Sequence, residues 1–314
     1  MSKTKSKQKD RMSPAARSAN LRPNASAPPT VSAKWLLTAI PIALAGALFC
    51  AWCTLCFLFW QGNWQLLYHP TSAVTRTPAS VNLTFDSIGF ATSAAGEPQL
   101  RGWWIPAPPQ ARYTAIYLHG ADGNLGDSVE ALARLHAAGL NVFAFDYRGY
   151  GQSQFAHPSE ARWHEDAESA IRYLAETRHI PINTILLVGK DLGANLALEV
   201  AAMHPDLAGV VLEQPFAAPT LVIFSDARAR LVPAHWLVRD RWQTSAAAGN
   251  ILIPSLWFYW TAEHDAGMEQ DKPEAYDKVP ARKMLVWLTS APNEQQQFRS
   301  ALASWLDQLP AAAR

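Results

Sequence analysis

From Trp35 to Trp60 the chain runs through 26 residues without a charged side chain. At ~1.5 Å per residue a helix of that length reaches ~39 Å, enough to span a bilayer with some tilt. A transmembrane helix is expected, with Pro41 near its start and Trp35, Trp52 and Trp60 as interfacial anchors. The rival, a cleaved signal peptide, has an apolar core of about 7 to 15 residues followed by a small-residue cleavage site. Trp64 to Pro70 should lie close to the membrane surface.

Beyond the span the period changes. Asn82 to Ala91 and Leu100 to Ile105 alternate or cluster β-branched and aromatic residues around a Gly96-Glu97-Pro98 turn, which predicts an antiparallel pair with Trp103 and Trp104 on opposite faces. Apolar runs at Tyr113 to Leu118, Asn141 to Phe145, Thr184 to Val188, Gly209 to Leu212, Leu256 to Tyr259 and Met284 to Leu288 read as further strands. Helical patterns fall at Ser128 to Ala138, Ser159 to Arg178, the alanine- and leucine-rich stretch after Gly193, and Gln295 to Leu309. Strands alternating with helices predict an α/β protein, a mostly parallel sheet flanked by helices. Residues 215–253 break the rhythm and are expected to form a small lid over the carboxyl edge of the sheet.

Composition sharpens this outline. At 314 residues and 49% hydrophobic content, the chain can hold one domain of about 250 residues plus an appendage. Residues 1–34 carry eight Lys or Arg against the single acid Asp10, with no hydrophobic periodicity, and read as a disordered basic arm. Removing these from the totals of 27 basic and 26 acidic residues leaves 19 and 25, so residues 61–314 carry a formal charge of −6. By the positive-inside rule the arm is cytoplasmic, and the domain over residues 64–314 is extracytoplasmic and signal-anchored. An acidic domain offers no electrostatic reason to bind nucleic acid. All three cysteines, Cys50, Cys53 and Cys56, lie in the span, so the domain cannot form a disulfide. Neither a cofactor nor a metal is expected.

The candidate chemistry centres on Gly189-Lys190-Asp191-Leu192-Gly193, where an apolar strand breaks and reopens as a helix. In order along the chain, LHGADGN follows one strand, DYRGYGQS the next, PSE opens a helix, GKDLG forms this junction and LEQPF follows the strand beyond it. Taken together these motifs resemble the α/β-hydrolase superfamily, in its membrane-anchored branch related to acyl-protein thioesterases, esterases and serine-aminopeptidase-like lipases. The resemblance covers about residues 64–309.

It implies an α/β-hydrolase fold with the nucleophile at the middle of the elbow, normally G-x-S-x-G, followed in chain order by an acid and a histidine. Here the elbow residue is Asp191. The oxyanion-hole amides would belong to Ala121 and Leu192, and the acid to Asp265, although the glycine usual before it is missing. Pro292 stands where the histidine is expected, and no histidine occurs after His264. A serine-type triad needs an imidazole to take the nucleophile's proton and return it to the leaving group. The expectation is a catalytically degenerate protein that binds an acyl or lipid-like ligand through a retained pocket or surface. The alternative is an active hydrolase of ester, thioester or lipid-like substrates using Asp191 or a non-standard set, including attack on alkyl carbon. His119 is expected to shape the oxyanion loop, His264 is a substitute base, and His164, His179 and His204 should be solvated. Asp146 and Asp166 should anchor loops and helix ends. Asp191, at a helix start, is expected to cap the helix, with its pKa lowered by nearby N–H dipoles.

Overall fold

The computed structural model describes residues 32–92, 96–261, 273–289 and 293–309. The chain divides into two compact units, one ending at Trp52 and the other beginning at Cys53. Helix α1, Ala33–Gly62, starts in the first and ends in the second. It begins and ends two residues outside the uncharged span, and is long and apolar enough to cross a membrane. Its side chains up to Trp52 are almost all exposed, the reverse of a soluble core helix.

The second unit is built on an eight-stranded sheet in the order β10-β9-β8-β7-β4-β6-β3-β2. The strands are β2 Asp86–Phe90, β3 Leu100–Ile105, β4 Thr114–Leu118, β6 Asn141–Asp146, β7 Ile185–Lys190, β8 Gly209–Glu213, β9 Ser255–Thr261 and β10 Lys283–Thr289. β2 with β3, and β3 with β6, are antiparallel, and every other pairing is parallel. The short bridge β1, His69–Pro70, pairs in parallel with β5, Asp122–Gly123, a contact that two polar residues and a proline did not announce.

The central strands are buried on both faces, as their unbroken apolar runs require. Ile116 and Leu118 of β4 face a core shared with α3, Glu160–Arg172, and α4, Leu192–Met203. Ala115 and Tyr117 face the opposite core, shared with α2, Val129–Ala137, and α9, Glu294–Asp307. α3 is capped by Ser159 and prolonged by a π turn, Tyr173–Thr177. Between β8 and β9 the chain forms short helices, α5 Leu221–Ser225, α6 Ala234–Leu237 and α7 Thr244–Ala248. One more, α8, Glu274–Lys278, precedes β10.

Strand order places the site. β4 lies between β6 and β7, so α2 leaves β4 toward one side of the sheet and α3 carries the chain back across to the other. In open α/β sheets the crevice beyond the carboxyl ends at such a reversal is where ligands bind. Here it lies between the turn after β4, at His119-Gly120, and the turn after β7, at Asp191.

Candidate functional site

β7 passes into α4 through one residue, Asp191, with φ 52° and ψ −123°. The turn can be this tight because Gly189 and Gly193 carry no side chain. A Cβ on Gly189 would run into the Gly193 carbonyl and Ala194, and one on Gly193 into the carbonyls of Leu118 and His119. An aspartate held at positive φ and outside the ordinary left-handed region costs on the order of 1–3 kcal/mol. The surroundings hold it there. Its N–H donates to the Glu213 carbonyl at 2.8 Å, and its carbonyl accepts from Ala194 N–H at 3.0 Å and Asn195 N–H at 3.4 Å.

The expected helix cap is absent: the Asp191 side chain accepts no hydrogen bond from the first turn of α4. Positive φ swings Cβ away from the helix and over the loop that follows β4, where a Cβ on Gly120 would stand 3.4 Å from both Cβ and Oδ2 of Asp191. Among the described residues nothing hydrogen-bonds this half-buried carboxylate. Its pKa is raised, not lowered. Burial is the main cause, Lys190 opposes it and Asp122 adds to it. The expected stabilisation by N–H dipoles fails because the carboxylate is not aligned with them.

The loop facing Asp191 is tied down from behind. The Ala121 carbonyl accepts from the His69 N–H at 2.9 Å and from the Tyr150 hydroxyl at 2.8 Å. Both bonds use the carbonyl, and among the described residues the Ala121 amide has no hydrogen-bond partner. Leu192 is the first residue of α4, where an amide has no partner within the helix. His69 and Tyr150 thus hold this loop from behind, a link the sequence did not announce beyond the DYRGYGQS motif that carries Tyr150.

His119 is wholly buried beside Tyr147, with ring centroids 4.5 Å apart, and its Nδ1 lies 2.8 Å from the Gly120 carbonyl. Burial pushes its pKa down to about 4. Its Nε2 stands 3.5 Å from Asp146 Oδ1 and makes no hydrogen bond among the described residues. Burial pushes the Asp146 carboxyl up to about 7, so near neutrality this is not a firm ion pair. Asp146 instead accepts the Leu125 N–H at 2.7 Å. Asp166 accepts from Arg148 through its backbone N–H at 2.8 Å and its Nε at 2.6 Å. Both aspartates anchor loops.

Asp265, Pro292 and His264 lie outside the described residues. The strands that lead to their loops, β9 and β10, end side by side with Thr261 opposite Thr289.

Beside the elbow opens a cleft of about 610 Å³ lined by Tyr117, Arg134, Lys190, Glu213, Gln214 and Trp260, among others, but not by Asp191 itself. Its floor is a buried ion pair, Arg134 Nη2 to Glu213 Oε2 at 2.6 Å, with the guanidinium 3.8 Å from the centroid of the Phe298 ring. Burial raises the Glu213 pKa against the pull of Arg134. The LEQPF motif contains this glutamate, but nothing in the sequence connected it with Arg134.

His164 and His204, each 22% exposed, are only partly solvated. They bridge α3 and α4 through Nε2 contacts of 2.8 Å to Glu199 and Glu168 respectively. Ligand atoms of Glu160, His164 and Glu199 fall within 4.8 Å of one another, a donor set that suits a divalent cation. Glu160 already accepts the Arg241 N–H, and His164 is engaged with Glu199.

Comparison with known proteins bears on this arrangement. A family profile described as serine aminopeptidase S33 matches residues 109–298. The uncharacterized protein YfhR of Salmonella typhi is 28% identical over 238 residues, covering 70% of this chain and 77% of YfhR. The alpha/beta hydrolase domain-containing protein WAV2 of Arabidopsis thaliana is 27% identical over 195 residues, covering 58% of this chain and 62% of WAV2. The esterase Pf2001 of Pyrococcus furiosus superposes with a TM-score of 0.55 at 18% identity, over 77% of this chain and 97% of the esterase, a likeness of fold.

Proposed function

The chain belongs to the serine aminopeptidase S33 family, within the α/β-hydrolase superfamily, and from that premise we propose that it is a membrane-anchored member that binds acyl or lipid-like ligands without serine-type turnover. The observation carrying this reading is the carboxylate of Asp191 at the elbow. A carboxylate has no proton for a base to remove and attacks acyl carbon poorly. The resemblance adds Pro292 at the base position, with Asp265 at the acid position and the amides of Ala121 and Leu192 as the remnant anion site. The length, apolarity and exposure of α1 support the anchor, and the basic arm before it supports a cytoplasmic N-terminus with the domain on the opposite side.

The test uses the full chain in lipid nanodiscs. No p-nitrophenyl ester turnover above empty nanodiscs is expected, no labelling by a fluorophosphonate, and saturable binding of a fluorescent fatty acid. Multiple-turnover ester hydrolysis abolished by Asp191→Ala overturns the reading. Protease added outside intact cells should digest the domain and spare the arm, and protection of the domain would reverse the topology.

One observation favours a second reading. Asp191 keeps the strained elbow backbone and points a half-buried carboxylate without a hydrogen-bond partner among the described residues at the His119-Gly120 loop, as a nucleophile for alkyl carbon would. An epoxide or haloalkane probe that leaves an ester adduct on Asp191, read by peptide mass spectrometry, would establish it.

A further inference from the structure

The end of α1 and the segment between β8 and β9 are fastened together. α5 lies against the 3₁₀ turn Asn63–Leu66 that continues α1. The Arg239 guanidinium sits 5.6 Å from the centroid of the Trp60 ring. The Tyr68 hydroxyl donates to Asp240 Oδ2 at 2.6 Å and accepts from the indole N–H of Trp242 at 3.3 Å. Beneath these contacts Phe59 shares a core with Ile223, Val232 and Val238. A chain that leaves a bilayer near Trp60 therefore brings this segment out with it, close to the headgroups.

The segment presents the side chains such a place would select. Trp236 is 87% exposed, Leu221 63% and Val222 47%. Phe155, 84% exposed, also lies near the helix exit, since it packs on His157, which packs on Trp64. Trp236 borders a shallow hollow of about 360 Å³ whose walls include Phe224, Val232 and Arg230. Single exposed apolar residues are ordinary; a group of them fastened to the foot of an apolar helix marks an interaction site. Arg230 and Arg239 have no carboxylate partner among the described residues, although the domain as a whole is acidic. Aromatic and aliphatic side chains beside unpaired arginines suit the interfacial zone of a membrane.

We propose that residues 216–241 dock onto the same bilayer that α1 enters, with Leu221, Val222, Trp236 and Phe155 inserted at the level of the headgroups and Arg230 and Arg239 on anionic phospholipid phosphates. This inference rests on the reading of α1 as an anchor. Docked in this way, the segment faces lipid while its start is held to the elbow helix, where the Asn195 side chain bonds the Phe216 backbone at 2.7 and 2.9 Å.

The experiment uses the full chain with Cys50, Cys53 and Cys56 changed to alanine and one cysteine introduced by Leu44→Cys, Trp236→Cys or Ser304→Cys. Each is labelled with an environment-sensitive nitrobenzoxadiazole dye and placed in nanodiscs of phosphatidylcholine and phosphatidylglycerol with doxyl-labelled lipid. Position 44 reports the anchor, 236 the docking, and 304 the exposed side of α9 on the opposite face of the sheet. Quenching at 44 and 236 but not at 304, with the loss at 236 shrinking when phosphatidylglycerol is omitted, is the expected result. Quenching at 44 without 236 overturns the docking and leaves the anchor standing. Quenching at all three positions overturns it in favour of a domain lying unselectively on lipid. No quenching at 44 removes the anchor, and the inference falls with it.

Discussion

Two junctions in this protein make the same passage from the end of a parallel strand toward a helix, and they treat their carboxylates in opposite ways. After β6, Asp166 receives two hydrogen bonds from Arg148, and the Tyr147 ring stacks on Trp163 with centroids 4.0 Å apart. After β7, Asp191 takes a backbone conformation unfavourable to any side chain, and its carboxylate receives no hydrogen bond from the helix it precedes. The first carboxylate is satisfied by its partner, although burial still pushes its pKa up to about 6. The second has strain and no partner to offset its burial, and a residue kept at such a cost marks a place where something other than stability is served.

The comparison breaks most readily at Asp166. Asp166→Ala leaves the Arg148 guanidinium, 14% exposed, without its buried partner. Because Arg148 keeps the exposed Glu165 at 2.6 Å, the expected loss is about 2–3 kcal/mol, less than for a stranded buried charge, read as a fall in the urea midpoint of the detergent-solubilised chain. A loss below about 1 kcal/mol would place the two junctions on the same footing.

Next in size is the pH dependence of the strand end at Asp146. Burial pushes this carboxyl up to about 7, against about 3.9 in an unfolded chain. The folded state therefore holds the proton more tightly. The stability this contributes is complete below about pH 4 and is lost as pH rises through the folded value. Asp146→Asn cannot titrate, so thermal melts from pH 4 to 8 should show wild type falling relative to the variant over that window. Parallel curves would mean that the hydrogen bonds Asp146 accepts from the Leu125 and Gln152 amides outweigh its burial.

A smaller change sharpens the contrast from the other side. Asp191→Gly removes the positive-φ strain, offset in part by the greater freedom of glycine in the unfolded chain. The net is a gain of about 1 kcal/mol, seen as a higher Tm. The burial-raised pKa of Asp191 has the same sign as that of Asp146, so the gain should grow as pH rises above the unfolded value of about 3.9. A loss of stability at neutral pH would show that the carboxylate does bind the fold. The smallest expected effect is on turnover: Asp191→Ser should give no multiple-turnover ester hydrolysis, because a serine without an imidazole remains a neutral alcohol. Asp191→Ser combined with Pro292→His should restore a little, and activity of the single variant alone would mean that another residue serves as base.

How much of the site could be read in advance differs by kind of interaction. The elbow was visible because Gly189 and Gly193 are demanded by backbone contact, and such demands leave a residue type at a fixed spacing. The unbroken apolar runs of β4 and β7 located the strands beside it for the same reason. The pair of Arg134 and Glu213 was not visible, since it joins α2 to the end of β8 and neither residue has a local reason to be what it is. The hold of His69 and Tyr150 on the Ala121 carbonyl is equally non-local. The misjudged cap at Asp191 has a plainer cause: an aspartate before a helix is ordinarily a cap, and the backbone angle that turns it aside arises only when α4 packs against the loop after β4.

By itself, then, the order of residues determined the α/β class, an apolar helix ahead of the domain, the elbow and the aspartate at its centre, because each follows from local periodicity, local charge or a single residue type. Only the tertiary structure decided where the Asp191 carboxylate points, that burial raises its pKa, that His164 and His204 bridge helices, and that the segment after β8 is fastened to the foot of α1. These depend on which side chains distant strands and helices bring within a few ångströms of one another, and no pattern along the chain encodes that distance.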